Sequence, residues 1–148
     1  ITRAVGRIHY KLQTKLTLGN LEASRDWGFA GDYVEGMHMM MQHSKPKDWV
    51  LATGESHSVK EFAEKAFGEV GLDWEDYVVT SEKYYRPNEV DYLLGDSKRA
   101  KNELGWSPKV NFSSLVKKMV ESDLKLAERE KVLIENNLLE PTWEHSSG

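Results

Sequence analysis

The extended segments of this chain are few and short, and helices or turns separate them. Lys15 to Leu18, Asp48 to Thr53 and Tyr77 to Thr80 read as strands, and Tyr92 to Leu94 and Pro108 to Phe112 as shorter extended pieces. Such a pattern predicts a mixed α/β chain without a complete doubly wound sheet. A dinucleotide-binding Rossmann unit needs a strand, then Gly-x-Gly-x-x-Gly, then a helix, and no stretch of the sequence supplies that run.

Helical spacing fills the gaps. Ile1, Val5, Ile8 and Leu12 recur along one face, with Arg3, Arg7 and Lys11 forming a basic stripe beside them. Gly19-Asn20 favours a turn after the first strand. Gly31-Asp32 opens a second helix whose apolar face is expected at Val34, Met37, Met41 and His38, and Lys45-Pro46 ends it. Ser58-Val59-Lys60-Glu61 has the form of a capping box for a helix that buries Phe62, Ala66, Phe67 and Val70 and closes at Gly71. Asp96 is placed to cap a short helix, Ser97 to Leu104. A long final helix starts at Ser113 or Ser114 and buries Leu115, Met119, Val120, Leu124 and Ala127.

Composition excludes several classes of function. The 148 residues carry a formal net charge of −4, so nucleic acid or an anionic membrane is not attracted globally. No apolar run approaches the length of a membrane span. There is no cysteine, which removes disulfides and thiolate metal sites, and fits a reducing, cytoplasmic location. His9, His38, His43 and His57 show no metal-ligand spacing, so no metal site is assigned. No histidine–serine arrangement, nucleophile elbow or Tyr-x-x-x-Lys on a convincing helix is found, so no catalytic residue is named either. The opening Ile1-Thr2-Arg3-Ala4-Val5 enters directly into a helical pattern, as in a chain that begins partway through a protein. Residues 1–140 are expected to form the folded part, and 141–148 a frayed or cloning-derived tail.

Two arginine-centred motifs stand out: Arg25-Asp26-Trp27-Gly28, and Tyr84-Tyr85-Arg86-Pro87-Asn88-Glu89-Val90-Asp91. A guanidinium presents a planar fork of donors that matches phosphate oxygens two at a time, so two such forks can clamp a diphosphate. For Arg25, spacing alone favours a plain ion pair with Asp26 or another surface carboxylate, with Asp26 and Trp27 placed to fix its direction if it is a phosphate ligand. Pro87 forces Arg86 towards an extended conformation, with one of Tyr84 and Tyr85 expected in the core and the other beside a cleft. Glu89 is the right type to accept bonds from ribose hydroxyls, or to pair with Arg86.

With these residues in view, the chain resembles the C-terminal portion of the GDP-mannose 4,6-dehydratases, a family of extended short-chain dehydrogenases/reductases. The matching runs are Leu18-Gly19-Asn20-Leu21, Arg25-Asp26-Trp27-Gly28 with Asp32-Tyr33-Val34, and Ala52-Thr53-Gly54-Glu55 with Ser58-Val59. They continue through Tyr84-Tyr85-Arg86-Pro87 with Glu89-Val90, Leu94-Gly95-Asp96 with Ala100-Lys101, and Leu104-Gly105-Trp106-Ser107-Pro108. The resemblance implies a fold class of mixed α/β, the small substrate-binding portion of such an enzyme without the complete Rossmann sheet. It implies a cytoplasmic, oligomeric, NADP-dependent lyase of GDP-fucose biosynthesis that converts GDP-mannose to GDP-4-dehydro-6-deoxy-mannose. NADP and the catalytic set belong to the N-terminal part of such an enzyme, so this chain alone is expected to be inactive.

Carried over by motif, Arg25 and Arg86 look like diphosphate ligands and Glu89 like a ribose contact. Leu18, Gly19 and Asn20 look like residues that edge the base or its phosphates. The basic stripe of the first helix takes no role from the resemblance. A sibling GDP-sugar reductase or epimerase, and a stand-alone nucleotide-binding or assembly module, are the alternative readings.

Overall fold

A computed structural model of the chain describes residues 1–85, 88 and 90–141. In chain order the main elements are α1 (Thr2–His9), β1 (Leu16–Leu18), β2 (Ser24–Arg25), α2 (Ala30–Gln42), β3 (His57–Ser58), α3 (Val59–Gly68), β4 (Val78–Thr80) and α4 (Phe112–Glu135). They form a mixed α/β fold of two compact units. The first unit is Ile1–Gly19, Phe62–Tyr85 and Val116–Gly148; the second is Asn20–Glu61 and Arg86–Leu115.

In the first unit, β1 and β4 pair in parallel with Leu16 opposite Val78 and Leu18 opposite Thr80. The core gathers Val5 and Ile8 of α1, Phe62 and Phe67 of α3, and Val116, Val120 and Ala127 of α4. The backbones of α1 and α4 approach closely, because a Cβ on Gly6 would stand 2.8 Å from the carbonyl oxygen of Asp123. Gly71, at φ +70°, closes α3, as its conformational freedom allows.

The basic stripe of α1 has a structural purpose. Arg3 Nη2 donates to Glu130 Oε1 at 2.5 Å, and Arg7 Nε donates to Glu130 Oε2 at 3.0 Å. Glu130 is only 8% exposed, so the inward face of α4 ends in a carboxylate answered by two guanidiniums. Burial works against its charge, but hydrogen bonds and attraction from Arg7 and Arg3 outweigh it and lower its pKa.

In the second unit, β2 and β3 form a two-residue antiparallel ladder, Ser24 opposite Ser58 and Arg25 opposite His57. The capping box is present: Ser58 N–H donates to Glu61 Oε2 at 2.7 Å, and Glu61 N–H to Ser58 Oγ at 3.0 Å. His57 stacks on Phe112 at 3.9 Å, a packing role.

Four expectations are corrected. The inward side of α2 carries Asp32 and Gly36, while Val34, Met37 and Met41 are 62%, 55% and 83% exposed and His38 is exposed too. The reason is Trp106: its Nε1–H donates to the Asp32 carbonyl at 2.7 Å, and a Cβ on Gly36 would meet its indole nitrogen at 2.9 Å. The Asp32 carboxylate is also needed inside, where Lys109 N–H and Val110 N–H donate to it at 2.9 and 3.0 Å. Second, 48–53 is not a strand of any ladder among the described residues; at its end the Thr53 amide bonds to a side chain rather than to a neighbouring strand.

Third, Glu82–Tyr84 is a 3-10 turn rather than extended chain, held by Tyr84 N–H to Ser81 O and Tyr85 N–H to Glu82 O. Both tyrosines are about half exposed, 49% and 50%, so neither is core. Fourth, α4 is capped by Asn111, whose Oδ1 accepts from Ser114 N–H at 2.9 Å. Val116 is fully buried in α4, while Met119 is 39% exposed.

Glu130→Ala should destabilise the chain by about 2 kcal/mol, since it removes the one charge-assisted acceptor that Arg3 and Arg7 share. Folding lowers the Glu130 pKa, so its contribution is full above the ordinary glutamate range. It is lost as pH falls through the lowered value, and thermal melts should show the Glu130→Ala deficit shrinking in acid. Met41→Lys, on the exposed side of α2, should change stability by less than about 0.5 kcal/mol in a urea titration. A loss of several times that size would place Met41 in a buried contact.

Candidate functional site

Arg25 lies on β2, in the second unit, half-buried beside two other segments. One is β3. The other is the stretch after the second arginine motif: Ser24 N–H donates to Asp91 O at 2.7 Å and Leu93 N–H donates to Ser24 O at 3.0 Å. Ser24 and Tyr92 thus form a parallel bridge, as the extended reading of Tyr92 to Leu94 anticipates. Arg25 Nη1 donates to Ser24 O at 2.8 Å and to Val90 O at 2.6 Å. The first motif and the end of the second are therefore in direct contact. Arg86 and Glu89 themselves lie outside the described residues.

Asp26 is the centre of this arrangement, and motif reading alone gave it only the task of steering Arg25. Its Oδ1 accepts from Thr53 N–H at 2.8 Å and from Thr53 Oγ1–H at 2.6 Å. Its Oδ2 accepts from Gly54 N–H at 2.9 Å and from Gly95 N–H at 3.2 Å. Burial disfavours the charge, yet the Thr53, Gly54 and Gly95 hydrogen bonds prevail and hold the pKa below the ordinary aspartate value. Gly95 can reach Asp26 because it has no side chain: a Cβ there would stand 2.1 Å from the Ala52 Cβ. The motif glycines beside Ala52 and Thr53 were the available signal.

Trp27 Nε1–H donates to His57 O at 2.9 Å and ties the end of β2 to β3. An open cavity of about 310 Å³ adjoins the motif, lined by Arg25, Asp26, Tyr33, Val50, Leu93 and Gly95 among others. Its wall sets the Arg25 guanidinium and the Asp26 carboxylate, already engaged by four donors, beside the apolar Val50, Leu51, Leu93 and Leu94. Burial, then the charges of Asp26 and Asp32, raise the Tyr33 pKa.

The remaining sequence-predicted residues fall elsewhere. Leu18 ends β1 in the first unit, and its carbonyl accepts from Ser81 N–H at 2.9 Å. Gly19 follows, where a Cβ would meet the Tyr84 carbonyl oxygen at 2.5 Å. Asn20 begins the second unit and uses its Oδ1 to accept from Glu22 N–H at 2.9 Å, a local Asx turn. Among the described residues no group of three or more metal-ligating side chains occurs, and no helix is long and apolar enough to cross a membrane.

The fold is that of part of an extended short-chain dehydrogenase/reductase. The structure titled RMD from Pseudomonas aeruginosa complexed with NADPH superposes with a TM-score of 0.75 at 17% identity, over 84% of this chain and 41% of that one. The dTDP-glucose 4,6-dehydratase of Bacillus anthracis in complex with NAD gives a TM-score of 0.70 at 19% identity, over 86% and 40%. The family model described as GDP-mannose 4,6 dehydratase matches residues 1–119, and the chain belongs to that family. It is 63% identical over 133 residues to GDP-mannose 4,6 dehydratase 1 of Arabidopsis thaliana, matching 90% of this chain and 37% of the relative. The chain thus spans little more than a third of the length of the curated relatives it matches.

Gly95→Ala should drive the chain off Ala52 and break the Asp26 contact. Amide exchange at Thr53 and Gly54 should then accelerate together, whereas unchanged protection would show that 52–54 is held by other means.

Proposed function

We propose that this chain supplies the GDP-sugar-holding part of an NADP-dependent GDP-mannose 4,6-dehydratase, with Arg25 and Arg86 as diphosphate ligands and Glu89 as a ribose contact. Leu18, Gly19 and Asn20 are assigned, through the family resemblance, to the edge of the base and its phosphates. The observation that carries the reading is the 2.6 Å bond from Arg25 Nη1 to Val90 O, which puts the first arginine beside the segment bearing the second motif. A diphosphate carries charge on two adjacent phosphoryl groups, so two guanidiniums suit it better than one.

The residues present do not fit NADP. The described sheets are two-stranded, and no Gly-x-Gly-x-x-Gly loop follows any strand, so no step of the dehydration is assigned to these side chains. Residues beyond those of this chain would hold the cofactor and perform the chemistry. The exposed Val34, Met37 and Met41 of α2 favour the same division of labour, because an apolar face of that kind is what a further part of the enzyme or an oligomer would cover. A cytoplasmic homo-oligomer is the proposed setting.

Calorimetric titration with GDP, GDP-mannose and UDP tests the reading. The chain should bind GDP and GDP-mannose more tightly than UDP. Arg25→Ala and Arg86→Ala should each weaken GDP roughly tenfold to hundredfold, the worth of a charge-assisted contact of about 1.5–3 kcal/mol. Affinity unchanged by both substitutions would overturn the assignment of the arginines.

A further inference from the structure

We propose that Asp26 is a positioning residue for anion binding, holding Arg25 and the segment that carries the second arginine motif in one fixed register. The proposal rests on the reading of Arg25 as a phosphate ligand and adds what makes that arginine competent.

The ladder that carries Arg25 is too short to fix it. β2 and β3 share only two residue pairs. On the other side, Asp91 and Leu93 bond to Ser24, and the next alternate residue, Gly95, bonds to Asp26 Oδ2 instead of to a backbone carbonyl. The carboxylate thus continues the ladder by side chain where the main chain has stopped. Its other oxygen takes both donors of Thr53, and Gly54 shares Oδ2, so three stretches of chain are pinned at one group. Two of these stretches border Arg25: its own strand, and the 90–95 stretch whose Val90 carbonyl accepts from the guanidinium.

The contact between Gly95 and Ala52 shows how tightly the geometry is specified, since any side chain at Gly95 would separate the segment from Asp26. A carboxylate can accept all four donors, whereas an asparagine has one oxygen and must turn an NH2 group towards N–H donors. Asp26→Asn therefore preserves size while releasing the 95 segment or the 53–54 segment. The guanidinium then loses its fixed bearing relative to Val90, and a bidentate contact, which depends on geometry, suffers more than a diffuse charge interaction.

The test is a double-mutant cycle read by GDP titration of this chain, with Asp26→Asn, Arg25→Ala and the pair together. Asp26→Asn should weaken GDP about tenfold when Arg25 is present and less than about twofold in the Arg25→Ala background. Thr53→Ala removes one donor of the four and serves as a milder variant if Asp26→Asn unfolds the second unit. It should weaken GDP by about threefold, again only with Arg25 in place. The Arg25 Nε–H resonance should also broaden or shift in both variants.

Equal losses with and without Arg25, or no loss in either, would overturn the positioning role while leaving Arg25 as a ligand. A chain that does not bind GDP, or binds it equally well as Arg25→Ala, would overturn the reading of Arg25 and this proposal with it. The two failures are therefore told apart by the Arg25→Ala arm alone.

Discussion

A single half-buried carboxylate organises the second unit. Asp26 accepts from donors 27, 28 and 69 residues away in sequence, so it closes two long loops at one point. The donors are three backbone N–H groups and one hydroxyl, none of them charged. Their summed dipoles stabilise the anion enough to lower its pKa against the cost of desolvation. Remove the carboxylate, and the amides of Thr53, Gly54 and Gly95 lose their acceptor. A backbone N–H left unpaired in a shielded site costs free energy comparable to a lost hydrogen bond.

The two units are ordered by different physics. The first relies on a three-residue parallel ladder and on helix faces meeting over an apolar core, with Glu130 answering Arg3 and Arg7 at the far end of α4. The second has little ladder and takes its order from polar groups turned inward: Asp26 on 53, 54 and 95, Asp32 on 109 and 110, and the Trp106 indole on the Asp32 carbonyl. Such a unit depends on geometry at a few atoms. Small residues recur where its segments touch, with Gly36 under Trp106 and Gly95 against Ala52.

Features set by neighbours in sequence were legible from the residues, and those set by distant partners were not. Ser58 and Glu61 are three apart and cap α3 as the spacing implies, and Asp96 likewise accepts from Lys98 N–H. β1 and β4 lie where their apolar runs predict. The inward face of α2 could not be read, because it is marked by Asp32 and Gly36 rather than by apolar residues, while Met37 and Met41 point outwards. Glu130 misleads for the same reason, being a charge whose partners lie more than a hundred residues upstream. The family was legible from the order of motifs, which the match to residues 1–119 bears out. Of the candidate ligands, Arg25 stands beside the second motif, Asn20 is engaged in its own turn, and Leu18 and Gly19 belong to the first unit.

The central proposal is that Arg25 and the second arginine motif serve one anion. Two-dimensional amide and guanidinium NMR during a GDP titration addresses it directly. The Arg25 Nε–H signal and the amides of Val90 to Gly95 should move together, along one saturation curve. Shifts confined to a different surface, such as the groove around Leu72 and Trp74, or to one motif without the other, would contradict it.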